Sequence, residues 1–151
     1  MNLLEKILLI AIAVTVFVYI FFKIKKKVRW SLWRADRMSG GNFERYIYNL
    51  FLNLGYKCEI TKASGDQGID IIVKKHLTKT GIQCKCYNKP VGNKAVQEAV
   101  AGKKYYSLDK VAVLTNNFFT RSAKELAEIN KVELLDRNDL KDLLNEIKNK
   151  R

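Results

Sequence analysis

The sequence predicts an α/β domain, a mixed sheet flanked by helices, preceded by an N-terminal transmembrane helix. Three observations lead there. Hydrophobic periodicity runs helix, three strands, and then helix and strand in alternation. The 151 residues are 48% hydrophobic and 11% aromatic with one Pro, which gives material for one ordinary core and excludes a disordered chain. Sixteen residues from Ile7 to Phe22 carry no charge.

That sixteen-residue run covers about 24 Å at roughly 1.5 Å per residue, a little short of the ~30 Å hydrocarbon layer, and Leu3 and Leu4 extend its apolar character across Glu5 and Lys6. Flanking turns must complete the span. Lys23, Lys25, Lys26, Lys27 and Arg29 follow it, and Tyr19, Trp30 and Trp33 are interface-preferring residues. The positive-inside rule therefore keeps the C-terminal side in the cytoplasm, as a single-pass membrane protein. A cleaved secretory signal would carry its positive charges before the apolar run and a small-x-small site after it, whereas here the charges mostly follow the run and there is no clear small-x-small site. The expected organisation is an anchor over 3–22, a basic juxtamembrane linker over 23–41 ending at Ser39-Gly40-Gly41, and a domain over 42–150.

Within that domain Phe43, Ile47, Leu50, Phe51 and Leu54 recur at helical spacing, with Asn42 as cap and Gly55 as the left-handed stop. Tyr56, Cys58 and Ile60 alternate with polar residues through Lys62 and read as a half-buried strand. Ser64 to Gly68 is a turn, Ile69 to Lys75 a second strand, His76 to Gly81 a turn, and Ile82 to Tyr87 a third strand. Beyond Pro90 and Gly92, a helix is expected over Asn93 to Ser107 and an apolar strand over Val111 to Thr115. A Thr120-capped helix over Arg121 to Asn130 and a strand over Val132 to Leu135 follow. Asp136 then caps a terminal helix bearing Leu140, Leu143, Leu144 and Ile147. The order αβββαβαβα combines a meander with crossovers, hence a mixed sheet.

The net charge of +13 has two sources. Residues 1–41 contribute +6, explained by topology and anionic headgroups, so they are no evidence for nucleic acid. Three cysteines, Cys58, Cys84 and Cys86, suit a reducing compartment and buried apolar roles; with a lone His76 they fall short of a structural zinc set. His76 reads as a surface turn residue, and Tyr105-Tyr106 as packing or capping a helix.

Chemistry concentrates around the meander. Gly65-Asp66-Gln67-Gly68-Ile69-Asp70 is followed, thirteen residues after Asp70, by Gln83-Cys84-Lys85. Strand alternation puts Gln83, Lys85 and Tyr87 on one face and Ile82, Cys84 and Cys86 on the other, toward the core. A carboxylate and an amide oxygen suit a hard cation such as Mg²⁺ or Mn²⁺, and Lys85 on the same face can orient or help deprotonate a water and offset negative charge. Glu44 can reach over the sheet from the first helix as a further acid, and Asp66 is the rival carboxylate on its loop.

These residues resemble the Mrr-like restriction endonucleases, of the restriction-endonuclease-like superfamily with its αβββαβ core and D–(E/Q)xK motif. The resemblance rests on Gly41-Asn-Phe-Glu44, Leu54-Gly-Tyr56, Gly65-Asp-Gln-Gly-Ile-Asp70, Gln83-Cys-Lys85, Val91-Gly92, Val113-Leu-Thr115, Phe119-Thr120 and Ala123. It covers nearly the whole domain. The family usually has Gln-Ala-Lys-Arg where this chain has Gln83-Cys-Lys85-Cys86, a departure that leaves the triad intact. The resemblance implies a metal-dependent DNA endonuclease acting in restriction of foreign or modified DNA. It also implies Asp70 and Gln83 as metal ligands, Lys85 as catalytic lysine and Glu44 as the first-helix acid. DNA is the implied partner, and a homodimer is a further expected partner. Lys62, Lys74, Lys75, Lys89, Lys94, Lys103 and Lys104 are the phosphate-contacting candidates, although a solvated face accounts for them too. The competing readings are a catalytically inactive, membrane-tethered DNA-binding protein of the same fold, and a tethered partner subunit that binds no DNA.

Overall fold

The computed structural model describes residues 10–16, 31–61 and 67–150. Residues 10–16 are helical. Beyond them come α1 (Leu32–Ala35), α2 (Gly40–Asn53), β1 (Lys57–Ile60), β2 (Ile71–Lys75) and β3 (Thr78–Lys85), then α3 (Asn93–Tyr105), β4 (Lys110–Thr115), α4 (Arg121–Asn130), β5 (Val132–Leu135) and α5 (Arg137–Asn149). Most of the expected anchor and its following lysines lie outside the described residues. No helix among the described residues is long and apolar enough to cross a membrane.

The five strands form one sheet in chain order. β1, β2 and β3 pair antiparallel, whereas β3, β4 and β5 pair parallel through helical crossovers. This is the expected mixed α/β sheet. One face packs Ile71, Val73, Ile82, Cys84 and Leu114 beneath α2 and α5. The other packs Ile69, Ile72, Val111 and Val113 beneath α3 and α4. Because strand side chains alternate, Cys84 belongs to the first core and Gln83 to the opposite face, as the sequence pattern requires.

Several boundaries fall elsewhere than the sequence suggests. Helix α2 starts at Gly40, with Ser39 rather than Asn42 in the cap position, so Gly40 and Gly41 form its first turn. Residues 31–38, expected in the linker, are folded against the domain: Ala35 is fully buried and Asp36 pairs bidentately with Arg137 of α5 at 2.7 and 2.9 Å. The β2–β3 connection is also tighter than expected. Lys75 pairs with Thr78, leaving only His76 and Leu77 in the turn, with His76 at φ 54°. Thr78 and Thr80 are β-branched and fit a strand better than the polar turn their composition suggests. β1 is an edge strand, and its Ile60 is exposed rather than buried.

The C-terminal half follows its sequence closely. Thr120 accepts from the Ala123 N–H at 3.2 Å, and Asp136 and Asp139 form a reciprocal capping box at the start of α5. Gly55 takes the left-handed conformation, φ 92°, after α2. Tyr106 follows α3 directly, in edge-to-face contact with Tyr105 at 4.8 Å, which is the packing role read from sequence.

Candidate active site

Asp70 and Gln83 face each other where β2 enters the sheet. The ladder pairs Ile71 with Ile82, and the Asp70 N–H continues it to the Ile82 carbonyl at 3.0 Å, so the next residues outward stand opposite each other. Gln83 Nε2 donates to Asp70 Oδ2 at 2.9 Å, and the Cys84 N–H donates to the same oxygen at 2.6 Å. Asp70 and Gln83 are buried, 6% and 4% exposed. The amide's other atom, Gln83 Oε1, is buried with no hydrogen-bond partner among the described residues. A buried acceptor without a donor is costly unless something occupies it, so this oxygen points to a ligand. A hard cation held by Asp70 and Gln83 Oε1, and otherwise by water and phosphate, fits that donor set.

Two residues further along β3, Lys85 lies at the same cleft, its Nζ 2.7 Å from Glu98 Oε2 on α3. Burial works against the Lys85 charge, but the hydrogen bond and charge of Glu98 outweigh it and hold its pKa above the ordinary lysine value. Lys85 is therefore an ammonium at neutral pH. Its charge can offset that of a phosphate, one of the two roles its sequence position allows.

These groups line one cleft of about 440 Å³. Glu44 reaches it from α2 and Glu98 from α3, with Tyr87 just beyond the end of β3. The Cys84 thiol beneath it is pushed well above its normal pKa, first by burial and then by the charges of Asp70 and Glu44. Among the described residues no three His, Cys, Asp or Glu side chains cluster tightly enough to hold a metal by themselves.

Backbone contacts fix the cleft's geometry. Gly68 has φ 81°, and a Cβ there would stand 2.3 Å from the Glu98 carbonyl oxygen. A Cβ at Gly102 would meet Ile69 Cγ1 at 2.4 Å and the Gln67 carbonyl at 2.7 Å. The segment leading to Asp70 is thus pressed onto α3 through two positions where only glycine fits.

The Mrr_cat family, described as restriction endonuclease, matches residues 35–144. The chain belongs to this restriction endonuclease family. Among curated proteins none matches. Of the solved structures similar to this Mrr-type domain, one is a protein of unknown function, AF1548, with 21% identity and TM-score 0.58 over 70% of this chain and 65% of its own. Another is the DNA modification-dependent restriction endonuclease AspBHI, with 22% identity and TM-score 0.55 over 70% of this chain and 30% of its own. These likenesses are of fold. The chain spans somewhat less than two thirds of the first and less than a third of the second.

The sequence of this Mrr-type domain predicts Asp70, Gln83, Lys85 and Glu44 at one site, and all four line this cleft. Asp66 and Lys62 lie outside the described residues. The remaining lysine candidates are scattered. Lys94 stands 4.0 Å from Glu98, and Lys89 is exposed in the loop after β3. Lys74 and Lys75 sit at the far end of β2, Lys75 over the Tyr56 ring, and Lys103 and Lys104 lie in the last turn of α3. Two residues were not foreseen. Glu98 carries no motif and no local signal in the sequence. Asn116 is 2% exposed; it accepts from the Tyr87 N–H at 2.9 Å and donates to Asp36 at 3.1 Å, tying the end of β3 to α1.

Proposed function

We propose that the chain is a metal-dependent DNA endonuclease that hydrolyses phosphodiester bonds in restriction of foreign or modified DNA, tethered to the membrane through residues 3–22. The observation that carries the catalytic reading is the orphaned Gln83 Oε1, set beside Asp70 and one strand step from a charged Lys85 in the same cleft. Asp70 and Gln83 would hold the cation, with Glu44 lining the opposite wall. When bound, Mg²⁺ or Mn²⁺ would offset charge on the scissile phosphate and lower the pKa of the attacking water.

The protein's own groups do the positioning. Gln83 Nε2 and the Cys84 N–H hold the Asp70 carboxylate in a fixed orientation, so its rotamer is set before substrate arrives. Lys85 would present a localised positive charge to the phosphate, and its ion pair with Glu98 would hold its Nζ in place. The membership in a restriction endonuclease family supports DNA as the substrate. A homodimer would bring two such clefts to opposite strands.

The test is plasmid cleavage by the full chain with Mg²⁺, with Mn²⁺ and with chelator, in parallel with Asp70→Asn and Lys85→Ala. Cleavage by wild type that needs metal and is lost in both variants is expected, a loss of at least ~10²-fold for either group. Equal cutting by wild type and variants would reject the assignment. Salt-dependent DNA binding with no product in any metal would leave an inactive DNA-binding protein of this fold.

A further inference from the structure

A second cavity, about 480 Å³, lies on the other side of the α2 N-terminal turns. Arg34, Arg37 and Arg45 line it, together with Trp33, Asn42 and Asn49. None of the three arginines has an ion-pair partner among the described residues. The two acids of this stretch are committed elsewhere: Asp36 is held by Arg137, and Glu44 faces the catalytic cleft. Three arginines with no carboxylate among the lining residues make this hollow a positively charged surface that an anion would complement.

The shape of the site selects among anions. Guanidinium forks match phosphate oxygens bidentately, which distinguishes this hollow from a lysine-rich solvated face. Trp33, 67% exposed, stands at its edge with Arg37 stacked 4.3 Å from the ring centroid, a flat surface on which a sugar or base can rest. The hollow is also rigidly tied to the catalytic strand. The Cys86 thiol donates to the carbonyls of Ala35 (3.4 Å) and Met38 (3.3 Å), and Met38 is part of the cavity wall. Because α2 separates the two cavities, they lie about one helix diameter apart, on the order of 10 Å, or about three base-pair rises.

We propose that the Arg34–Arg37–Arg45 cavity seats a backbone phosphate of the DNA a few nucleotides from the scissile bond, so that α2 lies between a gripped phosphate and a cut one. This rests on the nuclease reading and adds to it a contact that none of the sequence-derived lysines supplies. A membrane headgroup offers the same phosphate chemistry. The shared wall with the β3 end favours DNA, since a grip there sets the register of the strand in the cleft.

Binding of a short duplex to the full chain is measured by fluorescence anisotropy in chelator over a series of salt concentrations. The triple variant Arg34→Ala, Arg37→Ala, Arg45→Ala should raise Kd on the order of tenfold and lower the slope of log K against log salt by about 0.9, the value for one lost phosphate. The triple lysine version should recover the slope but not the full affinity. Near-UV circular dichroism checks folding, and the single Arg45→Glu variant repeats the measurement should the triple variant misfold. Unchanged Kd and slope in a chain whose wild type cuts DNA would overturn the arginine site alone. Loss of binding to phosphatidylserine vesicles with duplex binding intact would overturn it in favour of a headgroup site. A wild type that neither binds nor cuts DNA would remove the nuclease reading and the site with it.

Discussion

Replacing Gly68 by alanine should cost this domain more than replacing Gly55, the other left-handed glycine among the described residues, and the structure says by how much. An L residue at φ 81° carries a penalty of roughly 1–2 kcal/mol. The added Cβ would also stand 2.3, 2.6 and 2.9 Å from the backbone O, C and Cα of Glu98. Those atoms belong to the middle of α3, so no side-chain rotation relieves the overlap, and overpacking of this kind costs about 1–3 kcal/mol more. The sum, about 2–5 kcal/mol, is a large share of a typical domain's stability and should lower Tm by roughly 5–20 °C. Gly55 provides the control, because its φ is 92° but nothing lies within 4 Å of an added Cβ. Gly55→Ala should therefore show the conformational cost alone, about 1–2 kcal/mol. Urea unfolding of the full chain and both variants decides the matter. A Gly68→Ala variant no less stable than Gly55→Ala would refute the claim that the segment before Asp70 is pressed against α3.

Other consequences are narrower. Hydrogen bonding to Arg137 holds the Asp36 carboxyl below its ordinary pKa; its stabilisation is complete above the unfolded value of about 3.9 and is lost as pH falls through the lowered folded value. Asp36→Asn should therefore be less stable than wild type by up to ~1 kcal/mol above about pH 5 and converge with it near pH 2; a gap that persists at low pH would contradict this. Thr120→Ala removes the bond to the Ala123 N–H and should cost about 1 kcal/mol in urea unfolding, with Thr120→Ser retaining most of it. Burial pushes the Cys58 thiol up to about 11 and the Cys84 thiol well above normal. Alkylation of the native chain near pH 8 followed by mass spectrometry should thus leave Cys84 unmodified until urea is added; rapid native labelling would show that the strand face is not packed as described.

Local patterns in the sequence carried local structure. Helices α4 and α5 and strand β5 announce themselves through Thr120, Asp136 and the apolar periods behind them, because caps and periodicity act within a few residues. The Asp70, Gln83 and Lys85 constellation was legible for a related reason: a hairpin with period-2 alternation fixes which residues share a face once its register is known. Contacts between distant segments were not legible. Glu98 reaches Lys85 across thirteen residues and a crossover, and nothing in Val96-Gln97-Glu98 separates it from a solvated helix face. Asp36, Asn116 and Arg137 are 80 and 101 residues apart, so their network exists only in the fold. The same blindness placed residues 31–38 in a linker, since a four-residue helix has too few turns to show a period.

The position of the cleft follows from where the sheet changes character. Up to β3 the strands are joined by hairpins, and after it the chain must leave the sheet and return in parallel through a helix. The cleft opens at the carboxyl end of β3, where the chain leaves the sheet. In this chain the change puts the end of β3, carrying Gln83 and Lys85, beside the start of β2, carrying Asp70, because an antiparallel neighbour presents its opposite end. It also forces the crossover helix α3 to begin at the same edge, which brings Glu98 over Lys85 without any added segment. An acid, an amide and a paired ammonium thus meet as a consequence of strand direction. A circular permutation or insertion within the His76-Leu77 turn, at the far end of the hairpin, should disturb them least.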